Sequence, residues 1–98
     1  MQIWKKNYSL KEINNFAKNT MVEYLGIEIT EKGDDFIVAT MPVDHRTKQP
    51  FGILHGGASV VLSESIASLA GSLATDADKH CVGAVSYTHL TLPTSPKV

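Results

Sequence analysis

The residues with the clearest chemical potential lie between positions 49 and 64. A loop carries Gln49 and His55, two glycines follow at Gly56 and position 57, and Glu64 is the one carboxylate in the apolar run after them. A glutamine amide can polarise a carbonyl or place a water. Glycines at a helix start let a ligand approach unpaired backbone N–H groups, which can bind an anion or the oxygen of a reacting carbonyl. An ionisable group inside an uncharged helix is a candidate functional group.

Each of these features also has a plainer interpretation. The two glycines can simply form a tight turn from loop to helix. Glu64 could face a solvent-filled notch, and Gln49 could be a solvated loop residue. Ser68 lies one turn after Glu64 on the same face, where it could hold a water or orient the carboxylate. A buried serine more commonly bonds to its own helix backbone.

The distance along the helix limits how these residues can cooperate. Glu64 is about two turns into the helix, so it lies roughly 10 to 12 Å along the axis from Gly56. That separation is too large for both to act on one carbonyl. If Glu64 acts at that carbonyl, a second copy of the chain must supply His55 and Gly56. The spacing therefore favours a dimer with composite sites.

The elements before the loop are predicted from short-range patterns. Ser9 and Glu12 form a capping-box pattern, which predicts a short helix at about 9–18. Residues 21–25 could form another turn or lead into a strand. Alternating apolar and polar residues predict strands at 26–31 and 36–43, and the Gly/Asp-containing turn between them predicts an antiparallel hairpin.

The long helix is predicted to run for about five turns, from the glycine pair to Thr75. Its side chains are apolar or small nearly all round, which is typical of a helix that is buried on several sides by a closely packed sheet. A third strand is predicted at 80–85, after a polar turn.

Composition places the chain among small soluble proteins. It has 98 residues, 43% of them hydrophobic and 19% charged, with a net charge of -1. These values favour one small domain and argue against a nucleic-acid or membrane surface. Cys81 is the only cysteine, no Cys or His pair stands at ligand spacing, and no phosphate-binding motif is present, so no metal site is expected. Residues 60–74 are interpreted as too short and too polar for a membrane span, and a cytoplasmic location is expected.

A resemblance to a known family rests on one long block. From Met41 to Thr75 the chain reads MPVDHRTKQPFGILHGGASVVLSESIASLAGSLAT, preceded by a helix and hairpin and followed by a strand. This resembles the hotdog-fold thioesterases, and most closely the branch that contains 1,4-dihydroxy-2-naphthoyl-CoA hydrolases and the proofreading thioesterases of enterobactin synthesis. The resemblance covers about residues 2–84.

The resemblance implies an α+β hotdog fold, in which an antiparallel sheet wraps a long central helix, and protomers that pair as dimers or tetramers. It implies that Glu64 is the catalytic nucleophile or general base and that the Gly56 N–H binds the thioester oxygen. Gln49 and His55 of the opposing protomer would orient the thioester or its water, and Ser68 would support that water. No cofactor is expected.

The implied function is hydrolysis of an aromatic or short-chain acyl-CoA thioester to acid and CoA. A substrate like 1,4-dihydroxy-2-naphthoyl-CoA would place it in menaquinone biosynthesis. The alternatives are a non-catalytic thioester-binding hotdog protein and an inactive truncated fragment. Of these, the carboxylate in the middle of the helix favours the enzyme.

The resemblance stops near the end of the chain. Residues 1–85 are expected to form the N-terminal part of a hotdog thioesterase domain, with an incomplete sheet. Residues 86–98 do not match the family pattern and are expected to be an irregular tail of foreign sequence. His89 is out of register with the family histidine, so no CoA-binding role passes to it. A truncated chain would leave the long helix half covered and prone to aggregation.

Overall fold

The computed structural model describes residues 1–76. In chain order these form α1 (Leu10–Asn15), α2 (Met21–Tyr24), β1 (Glu28–Lys32), β2 (Ile37–Thr40) and α3 (Gly56–Ala74). The predicted strand at 80–85, Cys81 and the predicted tail at 86–98 lie outside the described residues. The prediction of a domain boundary after residue 85 therefore stays a prediction.

The first helix begins as its capping box predicts. The Ser9 hydroxyl accepts a hydrogen bond from the Glu12 N–H at 3.2 Å, and the Glu12 carboxylate accepts one from the Ser9 N–H at 3.1 Å. The helix ends at Asn15, three residues before the predicted end at 18. Asn19 then adopts a left-handed backbone with φ of 63°, a conformation that asparagine tolerates better than most residues. Of the two alternatives for residues 21–25, the helical turn is present, as α2.

The hairpin is confirmed, with shorter strands than predicted. The two strands pair antiparallel, from Glu28 opposite Thr40 to Lys32 opposite Ile37, with an irregularity between Ile29 and Glu31. As the alternation predicts, Ile29 is buried and its neighbours are exposed. The second strand ends at Thr40, before Pro42, which has no N–H to give to a ladder.

The core joins α1, the hairpin and α3. Ile13, Ile29 and Leu73 form its buried centre, and five half-buried side chains pack around them: Trp4, Tyr8, Ile37, Ala39 and Leu69. The Asn14 amide holds α1 against β1, because its nitrogen donates to the Ile29 carbonyl at 2.9 Å and its oxygen accepts from the Ile29 N–H at 2.8 Å. Because Leu69 and Leu73 belong to this core, the C-terminal half of α3 packs against α1 and β1.

The long helix has the predicted length, with 19 residues spanning about 28 Å. Only Ser59 and Leu73 are buried within it, and most of its other side chains are half-buried. The predicted burial on several sides is therefore not reached among the described residues. The reason is that the described sheet has two strands, which cover one side of the helix.

By its length and composition alone, α3 could span a membrane, and this contradicts the sequence-based exclusion of a membrane span. The helix has 19 residues and a mean hydropathy of 1.3, which would suffice to cross a bilayer. The core helix of a soluble protein passes the same test. Because Leu69 and Leu73 pack into the core with α1 and β1, we interpret α3 as a core helix.

Candidate active site

The segment at 41–55, which we call the site loop, joins β2 to α3 and folds back on itself. Lys48 and Leu54 form an antiparallel bridge across it. Three backbone hydrogen bonds reinforce the bridge: His55 N–H to Thr47 O at 2.7 Å, Gln49 N–H to Ile53 O at 2.8 Å, and Gly52 N–H to Gln49 O at 2.9 Å. The pairing places Gln49 and His55 on the two facing arms of one narrow loop.

An ion pair between Arg46 and Asp44 stabilises the first part of the site loop. The Arg46 guanidinium donates to the Asp44 carboxylate, with a shortest distance of 2.6 Å, and also donates to the Tyr24 carbonyl at 2.8 Å. The loop is thereby tied to the end of α2. The side-chain hydrogen bond from Arg46, followed by its backbone N–H, lowers the pKa of Asp44 from 3.8 to about 2. The Asp-x-Arg spacing is a sequence signal for this pair, which is not among the predicted site residues.

Gln49 is half-buried, and its side chain takes part in the loop's own structure. The amide oxygen accepts a hydrogen bond from the Phe51 N–H. Because the oxygen is used in this way, the amide nitrogen is the group that can donate to a ligand. The geometry favours Gln49 as a donor to an acceptor such as a carbonyl oxygen.

His55 is the N-cap of α3, and its ring orientation is fixed by that role. The Nδ1 atom accepts a hydrogen bond from the Gly57 N–H at 2.8 Å. A neutral imidazole that accepts at Nδ1 carries its proton on Nε2, so the exposed ring presents Nε2–H as a donor. A Cβ atom at Gly57 would lie 2.9 Å from Nδ1, so this glycine makes room for the histidine ring.

Gly56 begins the helix beside these two donors. Its N–H belongs to the first turn, whose N–H groups have no carbonyl partner within the helix and mark the positive end of its dipole. A Cβ atom added at Gly56 would meet no atom within 4 Å. The glycine is therefore open to a ligand, and the junction of loop and helix concentrates donor groups that suit a carbonyl oxygen or an anion.

Glu64 and Ser68 form a second, separate group. Both are half-buried, and their spacing of four residues places them on one face of α3. Gly56 and Glu64 are eight residues apart in this helix, which corresponds to about 12 Å along the axis. One chain therefore places the paired loop that carries Gln49 and His55 at the N-terminal end of α3, where Gly56 begins the helix, and it places Glu64 and Ser68 two turns or more further along.

A cavity among the described residues does not include Glu64 in its lining. It has a volume of about 280 Å³ and lies between α1, α2, β1 and α3, where Ser65, Ile66 and Leu69 line it. At 3.6 residues per turn, Ile66 and Leu69 project from roughly the opposite side of the helix to Glu64 and Ser68. The carboxylate thus faces away from the apolar interior of its own chain. Among residues 1–76, no group of three or more His, Cys, Asp or Glu side chains could hold a metal ion.

Known proteins of similar sequence are thioester hydrolases or esterases by name, although no family model matches the chain. A candidate esterase from Haemophilus influenzae is 53% identical over 97 residues, which cover 98% of this chain and 70% of that protein. The 1,4-dihydroxy-2-naphthoyl-CoA hydrolase of Escherichia coli is 54% identical over 81 residues, or 83% of this chain and 60% of that enzyme. A proofreading thioesterase from Cronobacter turicensis is 55% identical over 80 residues, or 82% and 58% of the two chains.

Solved structures agree with these relatives. A thioesterase from Haemophilus influenzae superposes with a TM-score of 0.79 at 56% identity, covering 81% of this chain and 55% of that one. A variant thioesterase from Pseudomonas aeruginosa superposes with a TM-score of 0.74 at 45% identity, covering 76% and 54% of the two chains. The chain spans between 54% and 70% of the length of these proteins. The sequence similarity and the shared fold together show that the chain belongs to the hotdog-fold thioesterase family.

Proposed function

We propose that the protein is an acyl-CoA thioesterase, which hydrolyses an acyl thioester to a carboxylic acid and CoA. The observation that carries this proposal is the junction of the site loop with α3, where His55 caps the helix, Gly56 leaves its first turn open, and the paired loop carries Gln49. Preorganised donors of this kind stabilise the negative charge that develops on a carbonyl oxygen during acyl transfer. The names of the relatives support the same reaction class.

In the proposed reaction, the thioester oxygen accepts from the Gly56 N–H at the positive end of the helix dipole. The Gln49 amide nitrogen and the His55 Nε2–H orient the thioester or the attacking water. These two side chains are preorganised, because the loop pairing and the helix cap hold them in place before a ligand binds.

Glu64 supplies the reacting group, as general base or as nucleophile. As a base, it takes a proton from a water whose oxygen bonds to the thioester carbon. The carbon–sulfur bond then breaks, and the departing thiolate takes up the proton. As a nucleophile, its carboxylate oxygen bonds to the same carbon, the carbon–sulfur bond breaks, and CoA leaves as a thiolate. Water then cleaves the resulting anhydride, which releases the acid, restores the Glu64 carboxylate and supplies the proton that the thiolate takes up. Ser68 supports the water in either route. These steps need no metal and no redox cofactor.

The proposed site is shared between two copies of the chain. Glu64 of one copy is too far from Gly56 of the same copy, so the loop of a second copy supplies the donors. Phe51 at the tip of the site loop is 88% exposed, which suits a loop that is covered by a partner. We propose a homodimer or a homotetramer as the functional assembly, with the active site shared between two protomers.

The proposed substrate is an aromatic or short-chain acyl-CoA similar to 1,4-dihydroxy-2-naphthoyl-CoA, acting in menaquinone biosynthesis in the cytoplasm. The name of the Escherichia coli relative supports this choice. We assign residues 1–85 to the thioesterase domain and residues 86–98 to a tail outside it.

Release of free thiol from a panel of aryl- and acyl-CoA thioesters tests the function. We expect turnover by the wild-type chain, and a loss of about 10²- to 10⁴-fold in kcat for Glu64→Gln with thioester binding retained. Glu31→Gln is the matched control, because Glu31 is an exposed carboxylate on β1 and belongs neither to the site loop nor to α3. Binding without turnover by the wild type would instead indicate a non-catalytic thioester-binding protein or an inactive fragment. Full turnover by Glu64→Gln would remove this carboxylate from the mechanism.

A further inference from the structure

Thr47 is the most deeply buried polar side chain among the described residues, at 1% exposure. It lies in the site loop between the charged residues Arg46 and Lys48. Its hydroxyl donates to the Pro42 carbonyl at 2.8 Å and accepts from the Asp44 N–H at 3.0 Å. Because this buried hydroxyl is both donor and acceptor, it holds Thr47 against the first arm of the site loop, at Pro42 and Asp44.

The backbone of Thr47 also binds the second arm of the site loop, which leads into α3. Its carbonyl accepts the His55 N–H at 2.7 Å, and its own N–H donates to the Asp44 carbonyl at 3.0 Å. His55 in turn caps α3 through its ring. One residue therefore links the start of the loop, through its side chain, to the capping histidine, through its main chain.

The same residue also determines where Gln49 lies. Gln49 is two residues beyond Thr47 on the arm that pairs with residues 53–55. If the Thr47 end of this arm shifts, the bridge between Lys48 and Leu54 shifts with it. Both donors of the loop thus depend on one anchored position.

We propose that Thr47 is a positioning residue of the site, whose buried hydroxyl sets the placement of His55 and Gln49 without touching the substrate. This inference rests on the proposed function. A misplacement of about 1 Å at reacting groups can reduce the rate by about 10²-fold. Loss of the hydroxyl should therefore reduce kcat more than it changes KM.

Two substitutions separate the hydroxyl from the shape of the side chain. Thr47→Val keeps the branched shape and removes both side-chain hydrogen bonds, whereas Thr47→Ser keeps the hydroxyl. We expect kcat to fall about 10- to 100-fold in Thr47→Val, with KM within about threefold of wild type, and to recover most of its value in Thr47→Ser. Ile13→Val is the control for destabilisation alone, because Ile13 is 3% exposed in the core and is not part of the site loop.

Hydrogen exchange supplies a readout that does not depend on turnover. The backbone N–H groups of His55 and Gln49 donate bonds of 2.7 and 2.8 Å, so both should be protected in the wild type. We expect faster exchange at both positions in Thr47→Val, and wild-type exchange there in Thr47→Ser and Ile13→Val.

The outcomes distinguish the positioning role of Thr47 from the thioesterase assignment on which it rests. Wild-type kcat and exchange in Thr47→Val would overturn the positioning role and leave the thioesterase assignment intact. An inactive wild type would overturn the assignment, and the exchange pattern would still decide whether Thr47 holds the loop. If Thr47→Val does not fold, Thr47→Ala takes its place. If neither folds while Ile13→Val does, Thr47 serves stability alone and the inference fails.

Discussion

A shared active site predicts that two inactive variants restore each other when they are mixed. Glu64→Gln removes the carboxylate from one half of the site, and His55→Asn removes the ring from the other half. Asparagine is a good N-cap, so His55→Asn keeps the helix start while it loses the Nε2 donor. Each variant alone has a defect in both sites of its homodimer, and we expect it to be nearly inactive.

The expected recovery follows from the symmetry of the dimer. Random pairing of equal amounts makes about half of the dimers mixed. In a mixed dimer, one site carries both substitutions and the other carries neither, because Gly56 and Glu64 of one chain are about 12 Å apart and serve different sites. The mixture should therefore reach about a quarter of wild-type activity, against about 1% or less for either variant alone.

The assay is thiol release after the two chains have been refolded together or produced together. Gln49→Ala mixed with His55→Asn is the matched control, because both substitutions affect the loop half of the site and no wild-type site can form. If the Glu64→Gln and His55→Asn mixture stays at the level of its separate components while subunit exchange is demonstrated, the two halves belong to one chain. That result would refute the distance argument.

Three further predictions concern the scaffold. Ser9→Ala should reduce the free energy of unfolding by about 1 kcal/mol in urea titrations, since alanine lacks the hydroxyl that accepts the Glu12 N–H at the start of α1. Gly26→Ala should cost at least about 1 kcal/mol in the same assay, because Gly26 has φ of 76° and an added Cβ would lie 2.8 Å from the Pro42 ring. The hydrogen bond from Arg46 lowers the pKa of Asp44 to about 2, so the stability that this pair contributes is present above about pH 4 and is lost as the pH falls towards about 2. We expect Asp44→Asn to have a weaker dependence of its urea midpoint on pH in that range, and an unchanged dependence would contradict the role of the pair.

The elements that the sequence predicts well are those with short-range causes. The capping box at Ser9, the hairpin and the long helix depend on residues within a few positions of one another, and all three are present. The ends of these elements were less predictable, because they depend on tertiary contacts. For example, α1 ends at Asn15 although the apolar spacing continues to Phe16, which is exposed.

The site loop shows where sequence reasoning stops. Gln49 and His55 were chosen by residue type, and their proximity follows from loop pairing that no local pattern indicates. Thr47 lies in a run of polar residues, and polar residues in loops are usually exposed, so no local pattern predicts its burial. Its burial arises because the loop closes around its hydroxyl, and such closure depends on the whole fold of the segment.

The contact between His55 and Gly57 also has an evolutionary consequence. The ring occupies the space that any side chain at position 57 would need, since a Cβ there would lie 2.9 Å from Nδ1. A side chain at position 57 would therefore push the ring out of its capping position, whereas a lineage that replaces the histidine with a smaller cap is free to lose the glycine. The two positions should change together over descent, with the histidine replaced first.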